Sequence, residues 1–322
     1  MSGRVVLTGA SSFLGLHLGH AFAAAGWQVS AVHSRPLEAY GGERAERLRL
    51  LAPLVQFVRA DLRDPAALAS LAETAAPALW VQQAGFADNH GSPDYDLATA
   101  HDLNVMMLPP LYRALAGTGC GVIMTGSSME YAASEQANRE DDACWPDTPY
   151  GLSKLAATLL ARQLALRYGV PTRVARLYIP FGDHDNPRRL LPMAMAALAA
   201  GTPVDLSPCL QKRDVVPVAD VCAGFLRLAE DLPRTLFDIF NLCSGAARPL
   251  RDLLLDLARA KGADPSLLRF GAVPMRVGEP PMSYGDIARA RALLGWSPTH
   301  LAARETLQQE APPWSSSPAA RS

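Results

Sequence analysis

The segment RVVLTGASSFLG, Arg4 to Gly15, constrains the fold of this chain more than any other. A strand-like run, Val5-Val6-Leu7, leads into a turn that carries Gly9 and Gly15. Gly9 permits a tight turn out of a first strand, and Gly15 lets the next helix pack closely on a sheet. A helix beginning there offers backbone N–H groups and the positive end of its dipole to a pyrophosphate. Ser12 stands where a third glycine is expected; it is small, and its hydroxyl has a proton to give a phosphate oxygen. Ser11, Ser12, Phe13 and Leu14 therefore join Gly9 and Gly15 as candidate cofactor-side residues. An ordinary strand-to-helix turn reads the same way until other parts of a site appear.

The rest of the chain supplies the setting. Val5–Thr8, Val29–Val32, Val55–Ala60, Leu79–Gln82, Val122–Thr125 and Thr172–Arg176 have the β-branched, apolar character of strands. Leu14–Ala25, Pro65–Ala75, Leu103–Leu115 and Tyr150–Tyr168 have helical spacing. This alternation predicts a Rossmann-type α/β fold, a doubly wound parallel sheet with ligands at the carboxyl ends of its strands. After residue 180 the pattern loosens among prolines (Pro180, Pro187, Pro192, Pro203, Pro208, Pro217). The expected organisation is a dinucleotide-binding domain over 1–180, with later segments near 215–245 interleaved, and a smaller substrate-binding lobe mainly over 181–310. APPWSSSPAARS, residues 311–322, has the composition of a disordered tail.

Composition narrows the partners. Lysine and arginine total 30 against 31 acidic residues, with no basic stripe, which argues against nucleic acid. The start of the chain runs directly into a strand, so no signal peptide is expected. The longest apolar stretch, near Leu190 to Ala200, is too short to span a bilayer, and a cytoplasmic protein is expected. Cys120, Cys144, Cys209, Cys222 and Cys243 form no C-x-x-C pair and read as reduced, mostly buried thiols, with no metal site expected.

The second strand ends in His33-Ser34-Arg35, with His33 eighteen residues beyond Gly15. An acidic residue near that point would bind the ribose of NAD; none is present, and a hydroxyl plus an arginine suit the 2′-phosphate of NADP. NADP(H) is therefore favoured, with NAD(H) the alternative. Asp61 in DLRD has a carboxylate for the adenine amino group, whereas Asp64 before Pro65 reads as a helix cap. TPYGLSK places Tyr150 four residues before Lys154 at the start of a helix, so the two share a face. The lysine charge is expected to lower the phenol pKa from about 10, making it a usable acid or base. Ser127 and Ser128 follow the fifth strand, and either can hold a substrate oxygen against Tyr150.

Together these motifs resemble the short-chain dehydrogenase/reductase superfamily, in its extended branch of nucleotide-sugar epimerases, dehydratases and reductases. The resemblance runs from Arg4 to LGWSP at Leu294–Pro298. TGASSFLG is similar to the family's TGATGFLG-type turn, and DLRD, with Asp61 and Leu62, to its adenine-side segment. Ala84-Gly85, preceded by Gln83, sits where the family carries small residues beside the cofactor, and Tyr178 in RLYIPFG joins that set. TGSSMEY resembles the block in which the residue four before the tyrosine, here Ser127, is the catalytic hydroxyl. PYGLSK fits the catalytic Tyr-Lys segment. QKRDVVPVADV and RVGEP resemble two segments of the substrate lobe, which implies that Arg213 and Arg276 grip a substrate diphosphate. Bidentate guanidinium chemistry agrees with that role, against a plain ion pairing with Asp214 and Glu279. The family also implies a homodimer through the Tyr150–Tyr168 helix and the helix before it.

Departures from the family pattern narrow the chemistry. The 4,6-dehydratases carry an Asp-Glu pair where this chain has Ser128-Met129, and the epimerase-reductases that make GDP-fucose carry a cysteine where Met129 stands. The 4-epimerases typically have an asparagine at the position of Ile179. Glu130 and His184 are candidate extra polar groups, against a plainer reading of each as a surface or packing residue. The resemblance thus implies an NADPH-dependent reductase of a nucleotide-linked 4-keto-6-deoxy sugar, with Tyr150 as proton donor and Ser127 and Lys154 assisting. The alternatives are an NAD-dependent nucleotide-sugar 4-epimerase and a non-catalytic NADP-binding sensor.

Overall fold

The computed structural model describes residues 3–276 and 278–298. The expected tail, and the end of the expected substrate lobe, lie outside the described residues. The alternation of apolar runs resolves into β1 (Arg4–Thr8), α1 (Phe13–Ala24), β2 (Gln28–His33), α2 (Gly42–Leu51), β3 (Gln56–Arg59), α3 (Pro65–Ala75) and β4 (Leu79–Gln82). There follow α4 (Leu97–His101), α5 (Leu108–Leu115), β5 (Gly121–Ser127), α6 (Pro149–Tyr168) and β6 (Thr172–Leu177). Every residue of β4 and of β6 is buried, as expected where helices cover both faces of a parallel sheet.

The expected helix over Leu103–Leu115 is divided. A π-helical turn, Asp102–Met106, separates α4 from α5. Pro109 and Pro110 are the cause. Neither has an N–H to donate, so both must lie in the first turn of a helix, and α5 restarts at Leu108.

The chain continues through β7 (Ile179–Phe181), α7 (Leu190–Ala200), β8 (Val204–Leu206), β9 (Lys212–Arg213), β10 (Val215–Pro217), α8 (Val218–Asp231) and β11 (Phe237–Leu242). It ends in β12 (Arg248–Pro249), α9 (Leu250–Ala260), β13 (Leu268–Phe270), β14 (Met282–Ser283) and α10 (Ala288–Leu294). The main sheet has seven parallel strands in the order β11-β6-β5-β4-β1-β2-β3. Strand order reverses between β1 and β4, and the crevice at that reversal is where this fold class binds ligands.

Two apolar cores cover the faces of the sheet. One holds α1 and α8 against it through Leu14, Leu18, Val221 and Phe225, joined by Ile287, Ala290 and Trp296 from the α10 region. The other seats α3, α5 and α6 through Leu68, Leu111, Tyr112, Ala161 and Leu164. A third core, built from Leu191, Leu198, Leu206, Leu253, Leu254 and Leu268, belongs to a smaller lobe of short strands with α7 and α9. No helix among the described residues is long and apolar enough to cross a membrane. Cys120, Cys209, Cys222 and Cys243 are buried free thiols, and Cys144 is half-buried.

Candidate active site

The turn after β1 is held by contacts that exclude larger residues. Gly9 lies at φ +74°, and a Cβ there would strike the Gln83 side chain; a Cβ at Gly15 would strike the Gly9 carbonyl. Position 12, by contrast, sits at φ −82°, which serine adopts without strain. Ser12 turns its hydroxyl inward. Its Oγ caps α1 by accepting the Gly15 N–H at 2.9 Å and meets the Gln83 side-chain amide at 3.0 Å. The first intrahelical bond is Leu16 N–H to the Ser12 carbonyl, so the amides of Phe13 and Leu14 lie ahead of the helical ladder. Ser12 thus serves the helix first, and the first-turn amides are left to a pyrophosphate. Thr8 Oγ1 ties this turn to the next strand, accepting the N–H groups of Gln83 and Ala84 at 3.0 and 2.9 Å.

At the other end of the cleft, α6 delivers the expected tyrosine and lysine. Thr148 Oγ1 caps the helix by accepting the Gly151 N–H at 3.0 Å, and Pro149 occupies its first turn. Gly151 is required because a Cβ would collide with the Met129 carbonyl; the helix start therefore packs directly on the Ser128–Glu130 turn that follows β5. That contact brings Tyr150 to Ser127. Lys154 Nζ donates to the Thr125 carbonyl at 2.6 Å. On the same residue, Thr125 Oγ1 is buried with no hydrogen-bond partner among the described residues.

The electrostatics differ from expectation. Burial pushes the Tyr150 phenol up to about 12, and the Ser127 hydroxyl beside it pulls in the opposite direction. Burial likewise lowers Lys154, while the Glu130 carboxylate raises it. The expected lowering of Tyr150 by the lysine charge is not found. Desolvation dominates, and the lysine spends its shortest bond on Thr125.

Several contributors to this site were weakly marked or unmarked in the sequence. Glu130 is fully buried. Its Oε1 accepts the Ser127 N–H at 2.9 Å, and its Oε2 accepts from Thr158 Oγ1 and Arg176 Nε, each at 2.9 Å. Asn104 accepts the Phe86 N–H at 2.8 Å and donates to Ser153 at 3.1 Å, which locks the segment after β4 to α6. His90 and Tyr95 lie against the Tyr150 ring, at centroid distances of 5.5 and 5.7 Å. Burial lowers His90, as do the positive charges of Arg189 and Arg276. Only the final fold could show these neighbours.

The remaining expected residues fall into two groups. Arg276 is exposed, with its Nη1 3.3 Å from where a Cβ on Gly91 would stand, so it faces the loop that carries His90. Arg213 is mostly buried and pairs with Glu279 at 2.7 Å. Asp214 has a separate task, accepting the N–H groups of Ser244 and Gly245 at 2.6 and 3.0 Å. Asp61 is engaged by Arg63, at 3.0 and 2.6 Å, with Leu62 between them. Tyr178 is buried and donates to Asn138 at 3.3 Å. Ser128 is half-buried in the turn beside Ser127, and Gly85 packs under the Asn104 carboxamide.

The donor set fits a nicotinamide dinucleotide: free first-turn amides on α1, a glycine-lined turn at the strand reversal, and Tyr150 with Lys154 across the crevice. Among the described residues, no group of three or more His, Cys, Asp or Glu is placed to hold a metal ion.

Comparison with known proteins agrees with this geometry. A model described as the NAD dependent epimerase/dehydratase family matches residues 5–243. A dTDP-4-dehydro-6-deoxy-D-allose reductase of a Streptomyces species is 31% identical over 71% of this chain and 73% of its own length. A dTDP-4-dehydro-6-deoxyglucose reductase of Escherichia coli is 28% identical over 58% of this chain, which spans 60% of that enzyme. A UDP-glucose 4-epimerase of Mycolicibacterium smegmatis is 28% identical over 92% of this chain and 93% of its own. Among solved structures, MoeE5 in complex with UDP-glucuronic acid and NAD superposes with a TM-score of 0.80 at 25% identity, covering 95% of this chain and 96% of that one. The chain is a member of the NAD-dependent epimerase/dehydratase family, in the extended branch of the short-chain dehydrogenases/reductases.

Proposed function

We propose that this protein is an NADPH-dependent reductase of a nucleotide-linked 4-keto-6-deoxy sugar. One observation carries the choice over dehydration and C3/C5 epimerisation. The carboxylate next to Ser127, that of Glu130, is buried and accepts from the Ser127 N–H, Thr158 and Arg176. It is committed to the turn and to the Arg176 ion pair, and Ser128 and Met129 supply no acid or base. Dehydration or C3/C5 epimerisation needs a second proton-transfer group; reduction of a ketone needs only one donor. The likeness to two reductases of dTDP-linked 4-keto sugars points the same way.

When bound, NADPH supplies the hydride for the keto carbon. Tyr150 then gives its phenolic proton to the oxygen that was the ketone. Ser127 holds that oxygen against Tyr150, and Lys154 fixes the floor of the site through Thr125. Arg276 and Arg213 hold the substrate diphosphate from the smaller lobe, as bidentate donors.

A second reading, a 4-epimerase, is favoured by the Mycolicibacterium relative, which matches over more of the chain than either reductase. Cofactor turnover separates the two. A reductase releases its cofactor each cycle, whereas an epimerase returns the hydride to the same sugar. The protein is expected to purify without stoichiometric NAD and to oxidise one NADPH per nucleotide-linked 4-keto sugar reduced. Tightly bound NAD, with sugar interconversion and no net NADPH consumption, overturns the reductase.

The reading includes a homodimer. Leu152, Leu159 and Leu166 recur every seven residues on α6 and are 49%, 59% and 51% exposed, an apolar stripe suited to a second copy of the same helix. Light scattering at micromolar concentration is expected to give twice the chain mass, and Leu159→Glu to give the monomer.

A further inference from the structure

The corner after β2 is folded around one side chain that sequence reasoning passed over. Tyr40 Oη accepts the backbone N–H groups of both Ser34 and Arg35, each at 3.3 Å. The Arg35 guanidinium lies over the Tyr40 ring, 5.8 Å from its centroid. His33 closes the corner from the strand side: its Nδ1 donates to the Arg35 carbonyl at 2.7 Å, and its ring meets Tyr40 and Phe57 edge-on. The backbone amides of positions 34 and 35, and the arginine head group, are therefore all referred to one phenol.

A phenol oxygen that accepts two N–H groups still has its own proton to donate. The phenol and the Arg35 guanidinium over its ring both belong to the corner at the carboxyl end of β2. Two arginines flank the corner. No carboxylate stands at positions 33 to 35, and Arg59, opposite His33 in the β2–β3 register, is exposed at the same sheet edge. The acid of the corner itself, Glu38, is exposed on the turn between Arg35 and Tyr40, and Asp61 beyond β3 is paired with Arg63.

We propose that Tyr40 is the partner of Arg35 in reading the 2′-phosphate of NADP(H): it fixes the Ser34–Arg35 corner and donates its hydroxyl to a phosphate oxygen. The inference rests on the NADPH reading above and deepens it. The phosphate oxygens accept from Arg35 and from Tyr40 Oη, a pair of donors that suits a phosphate better than the ribose diol of NAD.

The test uses ligands that differ only in the phosphate. Adenosine 2′,5′-bisphosphate and 5′-AMP are titrated by calorimetry into the full chain and into Tyr40→Phe, which keeps the ring under Arg35 and removes the oxygen. The wild type is expected to bind the bisphosphate more tightly. Tyr40→Phe is expected to lose roughly tenfold of that affinity, the scale of one hydrogen bond to a charged group, and less than about twofold for 5′-AMP. Equal losses for both ligands mean a merely structural tyrosine, and an unchanged preference means no role; either overturns the proposal while leaving the NADPH reading intact. If the wild type does not distinguish the two ligands, the NADPH reading fails and the proposal with it.

Discussion

Glu130 receives the backbone N–H of Ser127 at 2.9 Å, while the hydroxyl of Ser127 accepts the Met129 N–H at 3.1 Å. The two residues form a reciprocal cap on the short turn that presents the candidate catalytic hydroxyl. The same carboxylate is the counter-ion of Arg176, which is 2% exposed and also stacks 4.4 Å from the Tyr131 ring. The position of Ser127 is thus tied to a buried ion pair spanning β5 and β6.

Breaking that pair is expected to be costly. Glu130→Gln leaves the Arg176 charge buried without its partner, a loss of about 3–5 kcal/mol. Thermal and urea unfolding should show it directly, together with a fall in kcat as Ser127 loses its register. Replacing both residues, Glu130→Met with Arg176→Met, should recover most of the stability, because an apolar pair avoids the desolvation that the ions require. If the single variant melts with the wild type, the ion pair does not hold the turn.

Glu130 also shows where sequence reading ended. It lies three residues after Ser127 in a segment that reads as a simple turn, and it was expected to be a surface or packing residue. Its partner Arg176 is 46 residues away and reaches it only because Gly126 and Arg176 stand side by side in the β5–β6 register. The strands and the Tyr150–Lys154 pair were legible because their spacing is local. The same holds for Leu79–Gln82 and Pro65–Ala75, whose bounds agree with expectation. Helix α2, GERAERLRLL, was missed because charge masks its narrow buried face of Arg47, Leu48 and Leu51. Tyr40 was missed for a related reason: six residues from Ser34, it meets that corner only through a loop fold that no periodicity encodes.

Tyr150→Phe tests the proton donor. The variant keeps the ring that His90 and Tyr95 pack against and loses only the hydroxyl. Cofactor binding should be nearly intact, and kcat should fall at least about a hundredfold, the scale of a lost general acid. Burial pushes the phenol up to about 12, which favours the neutral form that a donor needs. Near-normal turnover would remove Tyr150 from the reaction.

The substrate lobe is tested through its arginines. Arg276→Ala should raise KM for the nucleotide-linked sugar by the equivalent of about 1.5–3 kcal/mol, with little change in cofactor affinity. Arg213 needs a paired control, because removing it leaves Glu279 as an uncompensated negative charge near the substrate. Arg213→Ala alone combines the lost contact with that repulsion; adding Glu279→Gln isolates the contact. Unchanged KM in Arg276→Ala and in the double variant would point to a substrate without a diphosphate.

The acid stability of the fold is expected to pass through His17. This residue is 7% exposed on α1, packs edge-on against Phe13 at 5.0 Å, and its Nε2 donates to the Asp183 carbonyl at 2.8 Å. Burial lowers its pKa from 6.5 to about 4; the charges of His184 and His20 act in the same direction, and Asp183 opposes them. A group lowered on folding contributes stability above its unfolded pKa and loses it as pH falls through the folded value. The contribution is therefore complete above about pH 6.5 and disappears towards pH 4. At about 1.4 kcal/mol per unit, it amounts to roughly 3 kcal/mol. Urea unfolding at intervals from pH 7.5 to 4 should show this decline in the wild type. His17→Gln retains an N–H donor for Asp183 but cannot take up a proton, so its stability curve should be flatter by that amount across the same window. Parallel curves for the two proteins would mean that His17 is reached by solvent and does not set the acid limit of the fold.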